Sequence, residues 1–163
     1  MMASRAMRWA ALMIGAMAAI MVAAIGSTLT NLGPWYHNLR EPSWKPPDEI
    51  FGPLWTVILA LVVLSGVRAF VGEPDPVRRQ WIIGLFAVNG FLNILWSLLF
   101  FALRRPDFAL IEVVPYWLSI LALVVFLYPT ARLASLLLLP HLLWVVVAAA
   151  LNYEVVALNR PFG

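Results

Sequence analysis

Apolar residues run along this chain in five long blocks, separated by short clusters of proline, glycine and charge. The blocks lie near 9–30, 50–71, 80–103, 107–127 and 133–157. Each approaches or exceeds the roughly 20 residues an α-helix needs to cross a bilayer. None alternates with the period of two expected of a barrel strand, and only helices or closed barrels satisfy their backbone groups in lipid. The pattern predicts an all-α integral membrane bundle of five transmembrane helices in a single domain, 1–163. The breaks agree. Gly72, Glu73, Pro74, Asp75 and Pro76 end the second block. Arg104, Arg105 and Pro106 allow only a very short turn, which makes the third and fourth helices antiparallel neighbours. Tyr128, Pro129 and Thr130 separate the last two.

The first connection differs from the others. It runs from about Asn31 to Glu49 and reads NLGPWYHNLREPSWKPPDE. Four prolines forbid a regular helix through most of it. Two tryptophans and a tyrosine suit a folded lid better than a loose linker.

Composition narrows the partners. Of 163 residues, 63% are hydrophobic and 12% charged, about half the charged share of a soluble domain; the solvent for this surface is lipid. The net charge of +3 is small and no basic block stands out, so nucleic acid is not an expected partner. With no cysteine, thiolate metal sites and iron–sulfur clusters are excluded, and no metal site is expected. Arg5 and Arg8 before the run from Trp9 to Ile25 resemble a signal peptide, but the run is longer than the roughly 7–15 residues of a signal core, and a retained helix is the preferred reading.

Let side A be the face that holds the N-terminus and side B the other. Arg5, Arg8, Arg68, Arg78, Arg79 and Arg132 fall on side A; Arg40, Lys45, Arg104, Arg105 and Arg160 fall on side B. Six against five leaves the orientation undetermined. The same counting of crossings places the unusual residues. Trp55, Asn93, Trp96, Phe108 and Glu112 all fall in the side-B half, beneath the long loop. Trp144 lies near the middle of the last helix, with Ala148 and Asn152 nearer side B. This describes a pocket with a lid.

Helical spacing supports the same arrangement. Asn89, Asn93 and Trp96 share one face of the third helix, and Trp144, Ala148 and Leu151 share one face of the fifth. Asn93 has two readings, a hydrogen bond between helices or a ligand contact. Trp9 and Trp81 sit at helix ends as interface anchors, and Trp117 reads as packing or lipid-facing. Glu112 is an intramembrane acid and hence a functional candidate, although Arg104 or Arg105 could pair with it. Gly15, Ala19 and Ala23 form a small-residue stripe for close packing within the bundle or across a dimer.

The loop segment WYHNLREPSWKPP with FGPLWT after it, LNILWSLLFF in the third helix and LLLPHLLWVVVAAALNYE in the fifth resemble the TspO/MBR family of tryptophan-rich sensory and translocator proteins. The likeness spans about residues 27–160. It implies a five-helix receptor or sensor for porphyrins and related aromatic ligands, with tetrapyrrole transport and slow light-dependent porphyrin degradation as alternatives. Matching positions are Trp35, Trp44, Trp55, Asn93, Trp96, Trp144, Ala148 and Leu151, to which the crossing arithmetic adds Phe108 and Glu112. Under the degradative alternative, Trp55 and Trp144 are the candidate catalytic residues. The resemblance and the small-residue stripe together imply a homodimer in the bilayer. Four positions depart from the family: Glu41 stands where lysine is common, Leu59 where an aromatic is, Phe108 for a tryptophan of animal relatives and His141 for a frequent tyrosine. Six residues separate Tyr153 from Arg160, whereas the sterol pattern allows at most about 5, so cholesterol is not the expected ligand. His37 and His141 lie too far apart along the bundle to share a haem iron, so no cofactor is expected and the porphyrin, as ligand, is expected metal-free. Arg40 and Lys45 at the mouth could meet its carboxylates.

Overall fold

The computed structural model describes residues 5–162. Among these there is no strand. The helices are α1 (Arg5–Leu29), α2 (Pro34–His37), α3 (Asp48–Gly72), α4 (Pro76–Ser97), α5 (Pro106–Leu127), α6 (Arg132–Leu136) and α7 (Leu139–Asn159). Five segments are long and apolar enough to cross a membrane: Arg5–Leu29, Asp48–Gly72, Pro76–Ala102, Pro106–Leu127 and Arg132–Asn159. The chain is a multi-pass membrane protein.

Three local details depart from the sequence expectation. The fifth span is two pieces, α6 and α7, rather than one helix over 133–157. Pro140 has no N–H to donate and its ring excludes a carbonyl one turn back, so the ladder breaks at Leu137 and Leu138. The third span ends in a π-helical turn, Leu98–Ala102, in which Leu103 N donates to Leu98 O at 2.9 Å. The proline-rich loop still contains one short helix, α2, which opens on Pro34, a residue suited to a first helical turn.

Helix α5 is the axis of the bundle. Ala109, Val113, Tyr116, Ile120, Leu123 and Leu127 recur at three- and four-residue spacing and are buried against α4 and α7. Helix α1 buries no residue and lies against α3 and α4. Gly15 allows that approach: a Cβ there would come within 3.4 Å of Val63 and 3.5 Å of Val67. That contact at Gly15 is within the chain, whereas Ala23 of the same stripe is exposed.

Side A is closed by polar groups that answer one another. Glu73, only 6% exposed, accepts from Arg78 Nε at 2.9 Å and from the Asp75 N–H at 3.1 Å. Arg78 also donates to Phe126 O and Thr130 Oγ1, and its guanidinium lies 4.4 Å from the centre of the Phe126 ring. Ser65 and Ser135 each donate 2.7 Å bonds to carbonyls of Ala134 and Val124, which tie α6 to α3 and α5.

Candidate functional site

Helices α3, α4, α5 and α7 bring their polar and aromatic residues together in the interior. Asn93 Nδ2 donates to Tyr116 Oη at 2.6 Å, and Tyr116 Oη lies 2.8 Å from His141 Nε2. The three side chains come from α4, α5 and α7, so one hydrogen-bonded chain crosses the bundle. Trp55 of α3 meets the His141 ring edge-on at 5.9 Å, and Phe51 meets Trp144 at 5.6 Å. Asn89 donates to Ser119 one turn further toward side A. Asn93 is therefore engaged between helices, the first of its two readings, and its partners belong to the same cluster.

The imidazole is tied to this chain through Nε2, which accepts from or donates to the Tyr116 hydroxyl according to its tautomer. Its other nitrogen, Nδ1, is buried and has no hydrogen-bond partner among the described residues. Neither do Trp96 Nε1, Trp144 Nε1, Trp117 Nε1 or the two carboxylate oxygens of Glu112. Buried polar atoms in native proteins nearly always have partners, so each such group calls for an explanation. Glu112 does not pair with Arg104 or Arg105; Arg105 is held by Asp107, and this ion pair keeps the Arg105 pKa above its ordinary value.

A second aromatic cluster joins the interior to the lid. Trp96 stacks on Phe100 at 5.0 Å with rings 25° apart, and Phe101 packs against both. Trp35 meets Phe100 at 6.3 Å and Tyr36 meets Phe101 at 5.8 Å. The π turn makes this possible. By inserting one residue into the helix it turns Phe100 and Phe101 together toward Trp96. Trp96 thus takes part in both clusters.

The lid is latched at two points. Tyr36 Oη donates to Asp48 Oδ1 at 2.9 Å, while Lys45 Nζ lies 2.6 Å from both Asp48 and Glu41. Burial pushes the Tyr36 phenol up to about 12. Burial alone would lower the Lys45 pKa, but its bonds to Asp48, Glu41 and Tyr36 outweigh that and raise it. At the other point, Asn159 at the end of α7 accepts from Arg40 N and donates to Arg40 O, both at 2.8 Å.

Several sequence expectations need correction. Lys45 is not a free cation at the mouth, because it is shared by two carboxylates; Glu41, the charge departure in the loop, is one of them. Trp44 is 49% exposed and Phe108 46% exposed, the latter beneath the Arg105 guanidinium at 3.8 Å. The structure leaves both outside the interior cluster. Ala148 is half-buried and Leu151 is buried on α7. Trp117 packs against the main core, and Trp9 and Trp81 are exposed at helix ends. Sequence reasoning missed Tyr116, His141 and Phe51 as members of the cluster. A signal for Tyr116 was present: Asn93 lies eleven residues before Arg104 and Tyr116 eleven after Arg105, so an antiparallel hairpin sets them level.

The TspO/MBR family model matches residues 4–158. This chain belongs to the TspO/MBR family. It is 35% identical over 138 residues to Tryptophan-rich protein TspO of Chlorobaculum tepidum, covering 82% of this chain and 86% of that one. With Tryptophan-rich sensory protein of Cereibacter sphaeroides it shares 31% over 157 residues, 95% and 96% of the two chains. Translocator protein of Sus scrofa is 32% identical over 121 residues, 73% of this chain and 71% of its own. Membership supports a membrane sensor or translocator role.

Proposed function

We propose that this chain is a membrane receptor that takes a porphyrin, or a similar flat aromatic amphiphile, into its side-B interior. The observation that carries this reading is the set of unpartnered buried polar atoms at Trp96, Glu112, His141 and Trp144, contributed by three helices beneath an aromatic lid. The indole N–H groups are donors, which suits a ligand that brings acceptors; the carboxylates of a tetrapyrrole are such groups. The Glu112 oxygens are acceptors, which suits a ligand that also carries N–H groups, as a metal-free porphyrin does. The aromatic walls offer edges and faces to a large π-system. A site that is mostly apolar with a few converging polar groups is the usual form of a small-molecule pocket.

The test is a titration of the purified protein with protoporphyrin IX in the dark, followed by tryptophan fluorescence and repeated under light. Saturable quenching, weakened in Trp144→Phe and in Glu112→Met, is expected. Quenching that does not saturate, or that ignores both substitutions, overturns the reading. New absorbing products under light that disappear in Trp55→Phe would move the assignment from receptor to light-driven enzyme.

A further inference from the structure

Outside the bundle interior, two grooves meet on the side-B surface. The first, about 470 Å³, lies between Trp35 and Leu39 of the lid, Arg104 and Arg105 of the α4–α5 turn, and Asn159. The second, about 380 Å³, runs along α5 and α7 past Leu110, Ile111, Val156 and Arg160. Pro161 and Phe162 line both, so the C-terminal segment is their common wall. The second groove is on the lipid-facing side of the bundle: Ile111 is 71% exposed.

The charges around the first groove are unequally matched. Arg105 is paired with Asp107. Arg104 reaches over the Trp35 ring, 6.0 Å from its centre, and no carboxylate lies within ion-pair distance of it among the described residues. The same holds for Arg160, and for Arg40, whose backbone is bound to Asn159 at the groove wall. Arg104 also holds a φ of 55°, a left-handed conformation in which glycine would be unstrained. An arginine is therefore placed where the backbone alone would favour glycine.

We propose that the two grooves together hold one anionic phospholipid. Its phosphate lies at the unpaired Arg104 guanidinium beside Trp35, and an acyl chain follows Leu110, Ile111 and Val156. A zwitterionic lipid brings its own cation and gains less from unpaired arginines. A soluble phosphate would leave the apolar groove unfilled, and the shared wall at Pro161 and Phe162 sets that groove beside the arginine-lined one, which favours a lipid. The site is separate from the bundle interior and does not rest on the porphyrin reading.

The full-length protein in detergent is mixed with phosphatidylglycerol or with phosphatidylcholine of the same acyl chains. Retained lipid is counted by native mass spectrometry and the thermal midpoint is recorded. Phosphatidylglycerol is expected to be retained more and to raise the midpoint more. Arg104→Gln lowers its retention about fivefold and lowers that of phosphatidylcholine less. Arg104→Gly removes the charge while relieving the left-handed backbone, so it reports on the site even where the glutamine variant folds poorly. Asp107→Asn, which frees Arg105, should not lower retention. Equal retention of the two lipids, or full retention in Arg104→Gly, overturns the proposal. Inorganic phosphate that binds with the same Arg104 dependence and displaces no lipid would assign the groove to a soluble anion and overturn it equally.

Discussion

Two buried glutamates make the contrast between the ends of this molecule. Glu73 at side A is 6% exposed and Glu112 in the side-B half is 7% exposed. Glu73 is met by the Arg78 guanidinium and a backbone N–H; the Glu112 oxygens meet no hydrogen-bond partner among the described residues. The same difference extends to their surroundings. Arg78, Ser65, Ser135 and Thr130 bind neighbouring helices at side A, whereas His141 and Trp144 near mid-bundle and Trp96 nearer side B leave ring nitrogens unanswered among the described residues. Satisfied polar groups stabilise a fold, and unsatisfied ones cost it about 1–3 kcal/mol each. One end therefore holds the helices together, and the other retains a demand that a ligand can meet.

Substitutions should separate the two ends by opposite signs. The largest effect belongs to Arg78→Ala, which leaves Glu73 buried with only an amide and costs about 2–3 kcal/mol. Thermal unfolding in detergent should show this, with porphyrin affinity per folded molecule unchanged. Glu112→Met should do the reverse. It removes two unpartnered oxygens and should stabilise the ligand-free protein by about 1–2 kcal/mol while weakening the ligand about tenfold. A Glu112→Met protein that is less stable than its parent would erase the contrast. Tyr116→Phe should be milder on both measures. It frees Asn93 and His141 at once, costs about 1 kcal/mol, and lowers affinity by releasing the imidazole from the hydrogen bond that orients it.

The smallest effect is on the lid. Tyr36 and Lys45 both have folded pKa values raised above their ordinary 10.0 and 10.5. Groups raised in this way contribute stability that is complete below the unfolded value and is lost as pH rises through the folded one. Amide protection of residues 34–48 should accordingly be flat from neutral pH to about 10, and fall above it as Tyr36 approaches about 12. Loss of protection near pH 7 would mean that the latch is not what orders the lid.

Much of this was legible in the chain because lipid imposes long uniform runs. The five spans, the short Arg104–Arg105 turn and the shared face of Asn89, Asn93 and Trp96 all follow from length and period. Tyr116 and His141 were hidden for a physical reason: inside an apolar run, a phenol or an imidazole is marked as polar but its partner is not. Only the symmetry about the turn gave Tyr116 away, and nothing comparable pointed to Phe51. The π turn was invisible, since LLFFA is equally good α-helix. Phe108 was placed by crossing arithmetic, which gives depth and says nothing of which way a side chain turns, and Trp44 came from the family likeness; both side chains lie outside the interior cluster. The break before α7 could have been read from Pro140.

The clamp between Arg40 and Asn159 joins positions 119 residues apart, and this sets an order of events during synthesis. The lid emerges early, after the first helix, but one of its two latches is on the final turn of the last. While the chain is being inserted, the mouth of the interior has no finished cover and its unanswered polar groups face a half-built wall. The lid's second latch therefore cannot form until α7 has been inserted, and a chain cut short before Asn159 would carry the loop with only its local latch at Asp48.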